Sequence, residues 1–453
     1  MKTGKIIAGA LSLCLLGGAF PTFSNYENFA VTANAAEIID SGYCRDIDQT
    51  TGDTNITYTY DSDGVLTISG TGEMVDFKAR DRTPWSEYRD DIKKLVIEEG
   101  VTSIGERSLG AFTNCKEISL PSTIKRIDEF FNYASLESIT LPEGLEEIDV
   151  QTFVNCDLLK TVTIPSTVTS IGKGAFEWCD SLYEIKVASG NANYTDIDGV
   201  LYNKDMTKIL QYPNGKSLIS YTVPSTVTTI GEDAFSEAKN LVKIILPDSI
   251  TTIEKLAFTG SGIKSMSIPS GVSVINRSTF NSCLSLESIV VPANVTQIDE
   301  LAFRNCENLE KIVIENPLCE IADSRSTICS NLFLAESYSK YDGIIYGYAG
   351  STAQTYAEKY GYNFDLIENY TVNYNLGDIN DDGTVDARDA SMALSEYALT
   401  ATGSAPTFTD SQKLAANVND DSAIDARDAS IILSYYAYTA TGGTDSLEAF
   451  LKK

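Results

Sequence analysis

The stretch GDINDDGTVDARDA, residues 377–390, places oxygen-bearing side chains at regular offsets. Counted from Asp378 as offset 1, Gly383 falls at offset 6 and the apolar Val385 at offset 8. Calcium prefers about six to eight oxygen ligands, and this spacing wraps oxygens around one point while glycine permits a sharp turn. The stretch therefore predicts a calcium loop, with ligands at offsets 1, 3, 5, 7, 9 and 12: Asp378, Asn380, Asp382, Thr384, Asp386 and Asp389.

A second copy of the pattern begins 39 residues further along the chain, at Asn417. Asn417 stands where the first copy has a carboxylate, and Ser422 stands where it has glycine. A loop with fewer charged ligands, and with serine in place of glycine at the sharp turn, should bind a cation more weakly. We therefore expect two calcium ions, with the second bound more weakly. The ligands predicted for the second loop are Asn417, Asn419, Asp421, Ala423, Asp425 and Asp428.

The composition excludes several other kinds of chemistry. The 453 residues contain no histidine, so Ser-His-Asp and Cys-His catalysis and histidine-rich zinc sites are not available. A net charge of -29 argues against nucleic acid, whose phosphates require lysine and arginine. The 63 acidic residues could supply a pair of glycosidase carboxylates, but no pair is marked by its context.

The N-terminus has the pattern of a secretory signal peptide. Lys2 and Lys5 precede the apolar run IIAGALSLCLLGGAF, and Ala33 and Ala35 form a small-residue cleavage site. We expect cleavage after Ala35 and a secreted chain. No later run is long enough to predict a membrane span.

The body of the chain is a repeat, which prolines mark at intervals of 21 to 23 residues, with one longer gap between Pro165 and Pro224. Aliphatic residues follow each proline at three and six positions, and in most units a phenylalanine follows at eleven. Each unit ends in a strand-like segment such as LKTVTIP or LESIVVP. Such a unit cannot bury its apolar side alone, so neighbouring units must stack into a solenoid.

These repeats resemble the BspA-type leucine-rich repeats of bacterial surface and secreted proteins, over about Leu95 to Glu315. The segment DSDGVLTISGTGEM with Trp85 resembles the β-rich opening of such arrays, and DGIIYGYAGSTAQTYAEKYGYNF resembles their terminal cap. In the long gap, DIDGVLYNKDMTKILQYPNG predicts an inserted hairpin. The resemblance implies a fold and leaves the ligand open, because solenoids present many unrelated surfaces.

The cysteines after Ala35 follow the repeat in part. Cys156, Cys179, Cys283 and Cys306 each lie three residues after a repeat phenylalanine, where we expect buried thiols stacked in the core. Cys319 and Cys329 lie outside this series and are the pair most suited to a disulfide if one forms.

The outward positions of the repeat strands, such as Thr161 and Thr163, hold no aromatic residue. Sugar-binding faces usually use tryptophan or tyrosine as rigid platforms. The strand face is therefore expected to suit polysaccharide poorly, and most of it fits a solvated sheet of β-forming residues.

The two loops, each followed by one predicted helix in DARDASMALSEYALTATG and DARDASIILSYYAYTATG, resemble a dockerin over about Gly377 to Gly443. A dockerin is the calcium-dependent module that attaches proteins to cohesins of a cellulosome scaffold. The resemblance implies cohesin contact at loop offsets 10 and 11 and along the following helix. These residues are Ala387, Arg388, Leu394, Ser395 and Tyr397, or Ala426, Arg427, Leu433, Ser434 and Tyr436.

Two points about that face stay open. An Ala-Arg pair at offsets 10 and 11 differs from the Ser-Thr pair of the best-known clostridial group, which leaves the cohesin type undecided. Leu394 and Leu433 have a second interpretation, in which they pack between the helices.

The predicted fold class is α+β, a leucine-rich repeat solenoid with a small all-α, calcium-binding dockerin at the C-terminus. The expected divisions are a signal peptide at 1–35, a β-rich N-terminal cap at 36–94, the solenoid at 95–330 with a hairpin insertion near 188–223, a C-terminal cap at 331–366, a linker at 367–376 and the dockerin at 377–453.

We therefore expect a secreted, non-catalytic cellulosome component, with a cohesin as partner and a protein or cell surface as the ligand of the array. The alternative is a polysaccharide-degrading hydrolase or accessory protein with an unrecognised active site, because dockerins usually accompany glycoside hydrolases. A third hypothesis is an adhesin or inhibitor whose solenoid binds a protein.

Overall fold

A computed structural model describes residues 36–45, 55–77, 79, 82–105, 107–110, 112–127, 131, 134–331, 340–369, 375–402, 407–408, 410–419, 421 and 423–452. The expected signal peptide and its cleavage site lie outside these residues, as does Ser422 of the second loop.

Short strands are the most numerous regular elements of the described chain. In chain order they are β1 (Ile38–Tyr43), β2 (Ile56–Asp61), β3 (Val65–Gly70), β4 (Gly72–Glu73), β5 (Lys94–Ile97), β6 (Val101–Ser103), β7 (Glu117–Ser119), β8 (Arg126–Ile127), β9 (Glu147–Ile148), β10 (Thr161–Ile164), β11 (Ser170–Ile171), β12 (Glu184–Val187), β13 (Tyr194–Ile197), β14 (Val200–Asn203), β15 (Lys208–Gln211), β16 (Ser220–Thr222), β17 (Thr229–Ile230), β18 (Lys243–Ile245), β19 (Thr252–Ile253), β20 (Val274–Ile275), β21 (Ser288–Val291), β22 (Gln297–Ile298), β23 (Lys311–Ile314), β24 (Glu320–Ile321), β25 (Ile344–Gly347) and β26 (Asn363–Leu366).

The described α-helices lie in the C-terminal part of the chain, and a short 3-10 helix at Ser86–Tyr88 lies near the N-terminal end of the solenoid. The α-helices are α1 (Thr352–Tyr360), α2 (Ala387–Ala401), α3 (Asp410–Ala416), α4 (Ala426–Ala440) and α5 (Leu447–Phe450). None of the helices in the described residues is long and apolar enough to cross a membrane.

The repeats wind into a solenoid with two parallel-stranded faces. We call the face built from the longer strands, including β5, β10, β12, β18, β21 and β23, the long-strand face. The other, the short-strand face, contains the two-residue strands such as β8, β9 and β11. Successive coils pair in register, as in Val162 with Ile185 and Ile289 with Ile312. The periodic aliphatic residues of the sequence thus stack on their equivalents, and the solenoid prediction is confirmed.

The repeat phenylalanines form two stacked columns in the core. Phe153 stacks between its neighbours at ring-centroid distances of 5.0 and 5.3 Å, and Phe258 does so at 5.3 and 5.5 Å. Both rings are fully buried. Stacked rings add specific attraction to the burial of a large apolar surface, which explains why the repeat keeps phenylalanine at this position.

The insertion between the two columns contains one more strand than the sequence predicted. Strands β13, β14 and β15 form an antiparallel meander, and β15 then joins β17 in parallel, so the insertion also supplies a rung of the short-strand face. Tyr212 takes the phenylalanine position and stacks on Phe235 at 5.2 Å. The inserted segment therefore contributes to the core on both sides of the gap in the repeat, with Leu201 in one cluster and Val200 and Tyr202 in the other.

All eight described cysteines are buried free thiols. The four series members each donate a hydrogen bond from Sγ to the carbonyl of a phenylalanine in the preceding coil, for example Cys156 to Phe131 at 3.0 Å and Cys283 to Phe258 at 3.1 Å. Burial raises the pKa of the Cys156 and Cys283 thiols to about 12. Cys319 and Cys329, the pair considered for a disulfide, are both buried, and no disulfide joins them.

Distinct packing closes each end of the solenoid. At the N-terminal end, the fully buried Trp85 donates from Nε1 to the Ser108 carbonyl at 3.0 Å and meets Tyr58 edge-on. At the other end α1 packs against β24, β25 and β26. Ser351 caps the start of α1, and Gly361 ends it with a left-handed φ of 72°.

Tyr183 is 48% exposed just before β12, outside the outward strand positions considered in the sequence. One expectation from the sequence needs correction. Helix α3 ends at Ala416 immediately before the second loop, so that loop has a helix on both sides. The sequence did not indicate α3 because its seven residues are too few to show helical periodicity, and tertiary packing of Ala415 and Ala416 stabilises it.

Candidate calcium loops and partner-binding face

The first loop and the helix after it share two carboxylates. Asp386, at offset 9, is the N-cap of α2 and accepts from the Arg388 backbone N–H at 2.7 Å. Asp389, at offset 12, accepts from the Asp386 backbone N–H at 2.9 Å, which completes a capping box. Asp425 and Asp428 form the same arrangement at the start of α4. The helix start therefore holds two of the predicted ligands of each loop in place.

In the first loop the ligand side chains bond to the loop's own backbone. Asp378 accepts from the N–H groups of Asp382 and Gly383 at 3.0 and 2.9 Å. Asp382 in turn accepts from the Thr384 N–H at 3.0 Å. Gly383 has a φ of +84°, a conformation that side chains disfavour, so glycine at offset 6 is needed for this turn. These bonds turn the side-chain oxygens towards the interior of the loop.

The carboxylates at offset 12 are buried in both loops. Asp389 and Asp428 are 0% exposed. Asp389 accepts from the N–H groups of Ile379 and Asn380 at 2.9 and 3.0 Å, and Asp428 accepts from Val418 at 3.0 Å. Burial raises the pKa of both carboxyl groups. A buried carboxylate that meets only N–H donors is stabilised by a cation, and an all-oxygen donor set suits calcium.

The second loop has weaker donors. The Asn417 side chain donates from Nδ2 to the Asp421 carbonyl at 2.6 Å, and the Asn419 side chain donates to Asp421 Oδ2 at 3.0 Å. The Asn419 amide thus bonds to a predicted ligand oxygen of Asp421, and the Asn417 amide bonds to the backbone of the same residue. This geometry is consistent with the lower affinity expected for the second loop.

Within the described residues, no three Asp, Glu, Cys or His side chains converge into a metal cluster. Each predicted loop also uses neutral ligands, asparagine side chains and a backbone carbonyl. Its donor set therefore does not consist of these four residue types alone. Like charges also repel, and the loop carboxylates bond to backbone N–H groups and to arginine. The donor set fits calcium by its chemistry and by the buried Asp389 and Asp428.

The two repeated arginines lie against their own loops. Arg388 Nη2 is 2.6 Å from Asp382 Oδ2 and 2.8 Å from Asp386 Oδ2. Arg427 is further from its equivalents, at 3.6 Å from Asp421 and 3.7 Å from Asp425. Hydrogen bonds from the Arg388 side chain hold the pKa of Asp386 below its usual range. Both halves therefore place an arginine beside two carboxylates of its own loop, and the ion pairs are shorter in the first half.

The helix residues predicted to contact a partner are exposed in both halves. Leu394 and Tyr397 are 43% and 42% exposed, and Leu433 and Tyr436 are 42% and 43% exposed. The core between α2 and α4 is made instead by small residues and Ile432. Packing within the helix pair, the second interpretation of the two leucines, therefore does not account for their position. Ala387, Arg388, Ser395, Ala426, Arg427 and Ser434 are exposed as well.

Comparison with known families explains both parts of the chain. The family model for the BspA type leucine-rich repeat region matches residues 87–204 and 211–332, in six copies. The chain belongs to the BspA-type leucine-rich repeat family. The model for the dockerin type I domain matches residues 376–435. Both family resemblances inferred from the sequence are confirmed.

Solved structures of bacterial leucine-rich repeat proteins are similar to this BspA-type protein. A leucine-rich repeat protein from Eubacterium ventriosum shares 32% identity with a TM-score of 0.56, over 60% of this chain and 80% of that one. The pneumococcal vaccine antigen PcpA shares 18% identity with a TM-score of 0.47, over 72% of this chain and all of that one (100%). No curated protein matches the chain.

The dockerin of this BspA-type protein implies assembly of the cellulosome type through a cohesin, and with it an extracellular location. Type I dockerin domains bind calcium. The repeat array suggests a binding role.

Proposed function

We propose that this protein is a secreted, non-catalytic component of a cellulosome-type assembly. Its dockerin binds a cohesin in a calcium-dependent way, and its solenoid presents a binding face to a protein or surface ligand. The observation that carries the proposal is the duplicated pair of exposed apolar residues, Leu394 with Tyr397 and Leu433 with Tyr436, each next to a loop with a buried carboxylate.

Calcium would be held by the six predicted ligands of each loop, two ions in all. When bound, the metal supplies positive charge that offsets the repulsion among the loop carboxylates. The chain's own part is structural: Asp386 and Asp389 cap α2, and Asp425 and Asp428 cap α4. Loading either loop therefore supports the start of the helix whose exposed face meets the partner.

The face can be tested by binding of the full chain to a panel of cohesin modules, measured by calorimetry with calcium and with chelator. We expect binding only with calcium, and we expect Leu394→Ala combined with Leu433→Ala to weaken it by at least about tenfold. Leu414→Ala is the matched control, because this leucine is equally exposed, at 42%, but lies on α3. Equal binding by the double variant and the control would show that the proposed face is wrong.

Exposed apolar residues on the long-strand face support a protein ligand for the solenoid. Ile219 is 70% exposed, and Val242 and Ile245 in the next coil are 37% and 43% exposed. Exposed apolar groups on one surface favour association with another protein. Captured proteins can be compared between the full chain and an Ile219→Asp variant, with Leu318→Asp, on an equally open side chain (78% exposed), as control. Capture unaffected by Ile219→Asp would exclude this surface.

The non-catalytic part of the proposal has a direct assay. The purified full chain should release no reducing sugar from cellulose, xylan or pectin. Release that is lost on changing one acidic residue of the solenoid would establish the hydrolase alternative instead.

A further inference from the structure

One lysine of the solenoid contacts the first calcium loop. Lys243, the first residue of β18, donates from Nζ to the backbone carbonyl of Asn380, which is 137 residues further along the chain. Lys243 is half-buried, as are the first residues of most strands on this face, and the distinguishing feature is its contact with another part of the chain. This contact joins the long-strand face to offset 3 of the loop.

Charges on both sides complement each other around this contact. Desolvation by burial lowers the pKa of Lys243, while the carboxylates of Asp381, Asp378 and Asp382 attract its charge. In the coils beyond Lys243, Glu287 repels Asp381 and its ion-pair partner Lys264 attracts it, so these two charges largely offset each other. The positive charge that the loop meets is therefore that of Lys243.

Two lysines at the start of long-strand-face strands, Lys243 and Lys311, make no ion pair within the described residues, unlike Lys94 and Lys264. Lys94 pairs with Glu117 and Lys264 pairs with Glu287 in the following coil, each at 2.9 Å. The strand neighbours of Lys243 are serines, Ser220 and Ser265, instead of acids. In the described part of the chain, no carboxylate lies within 4.0 Å of its ammonium. Its charge is thus available to the loop.

We propose that the long-strand face at Lys243 is a docking site for the first calcium loop of the same chain, and that docking and calcium binding oppose each other. The inference rests on the calcium assignment of the proposed function. The Asn380 carbonyl is not one of the predicted ligand atoms, since offset 3 contributes its side chain. Lys243 therefore does not block the site, and its charge acts at short range against an incoming cation.

Linkage makes the effect reciprocal. If the docked lysine lowers the calcium affinity of the loop, then calcium must weaken docking by the same factor. Calcium would in this way release the dockerin from the solenoid when it loads the first loop. Between described residues, the hydrogen bonds and ion pairs of the second loop all lie within the dockerin, so its affinity should not change.

The contact can be tested on the full chain with a short amine-reactive photo-cross-linker, which reaches groups near an amine without requiring a carboxylate in direct contact. We expect a cross-link between Lys243 and the first loop in chelator, identified by peptide mass spectrometry, and a much smaller yield in calcium. A Lys186→Gln variant, changed on the same face at a lysine paired with Glu184, should give the same cross-link. Absence of the cross-link in both conditions would overturn docking.

The coupling can be tested by the calcium affinity of Lys243→Gln, followed through the amide signal of Gly383. Offset 6 of the second loop is a serine, so this glycine signal belongs to the first loop. We expect calcium to bind roughly three- to tenfold more tightly than in the wild-type chain, with Lys186→Gln unchanged. Equal affinity in Lys243→Gln and wild type would overturn the coupling. A Gly383 signal that never responds to calcium would instead overturn the calcium assignment.

Discussion

At the residue scale, two acidic side chains lie close together where the insertion interrupts the repeat. Burial raises the pKa of Glu177 to about 7 and that of Asp233 to about 6, and each is raised further by a neighbouring acid. The adjoining pair Lys173–Glu232, at 2.6 Å, links the coils on the two sides of the insertion. The inserted segment thus brings together acids that are 56 positions apart in the chain.

The raised pKa of Glu177 predicts a pH-dependent stability. The folded state holds a proton that the unfolded state releases between the ordinary value of 4.5 and about 7, so the solenoid should lose stability as pH rises through that window. Glu177→Gln should stabilise the solenoid at pH 8, by roughly 1 kcal/mol because Glu177 is only partly buried.

Thermal unfolding at pH 5 and pH 8 measures this effect. The gain from Glu177→Gln should shrink at the lower pH. Glu300→Gln is the control, since its side chain is 61% exposed and 3.6 Å from Arg277. A stabilisation equal at both pH values would contradict the assignment.

At the element scale, the phenylalanine columns connect one coil to the next. Phe258→Ala should destabilise the solenoid by about 3–5 kcal/mol, because it removes a fully buried ring from the middle of a column and leaves a cavity. Leu284→Ala, at a side chain 46% exposed, should cost less than about 1 kcal/mol. Denaturant unfolding provides both values, and similar losses would show that the column has no special part in stability.

The two helices of the dockerin present duplicate faces. If a cohesin can use either half, Arg388→Ala or Arg427→Ala alone should weaken binding less than about threefold, and the double variant should lose far more than the sum of the two. Calorimetry against a cohesin that binds the wild-type chain measures this. Loss of binding in one single variant, with the other silent, would show that the module uses one face.

At the scale of the whole molecule, the apolar core of the dockerin is separate from the cores of the solenoid. The dockerin cluster is built around Ile379, Ile432 and Leu447, and none of the described solenoid residues belongs to it. The solenoid residues fall into two further clusters that meet at the insertion. Separate cores favour separate unfolding transitions.

Removal of calcium should therefore lower the melting temperature of the dockerin and leave that of the solenoid unchanged. Metal binding contributes folding free energy where ligands repel one another without it. Asp378→Ala should destabilise the dockerin more than Asn417→Ala, since it removes a charged ligand. Scanning calorimetry with and without chelator checks both points. A dockerin transition unaffected by chelator would count against calcium in these loops.

Local sequence determined the parts of this protein that repeat. The spacing of prolines, isoleucines and phenylalanines predicted the stacked coils, because each core position recurs at a constant interval and meets its own equivalent. The offsets from Asp378 and from Asn417 predicted the two loops for a similar reason, since ligands within twelve residues depend on local backbone geometry. The domain boundaries and the ligand and cohesin-binding residues stay predictions.

Tertiary structure decided the features that depend on residues distant in sequence. Helix α3 is too short to form by its own propensity and exists through packing of Ala415 and Ala416. Strand β15 joins the solenoid because the insertion returns to the short-strand face, and the same return brings Glu177 near Asp233. Contact between Lys243 and Asn380 depends on how the dockerin meets the solenoid. No local pattern encodes such contacts, because their energy arises between segments that the chain brings together only when it folds.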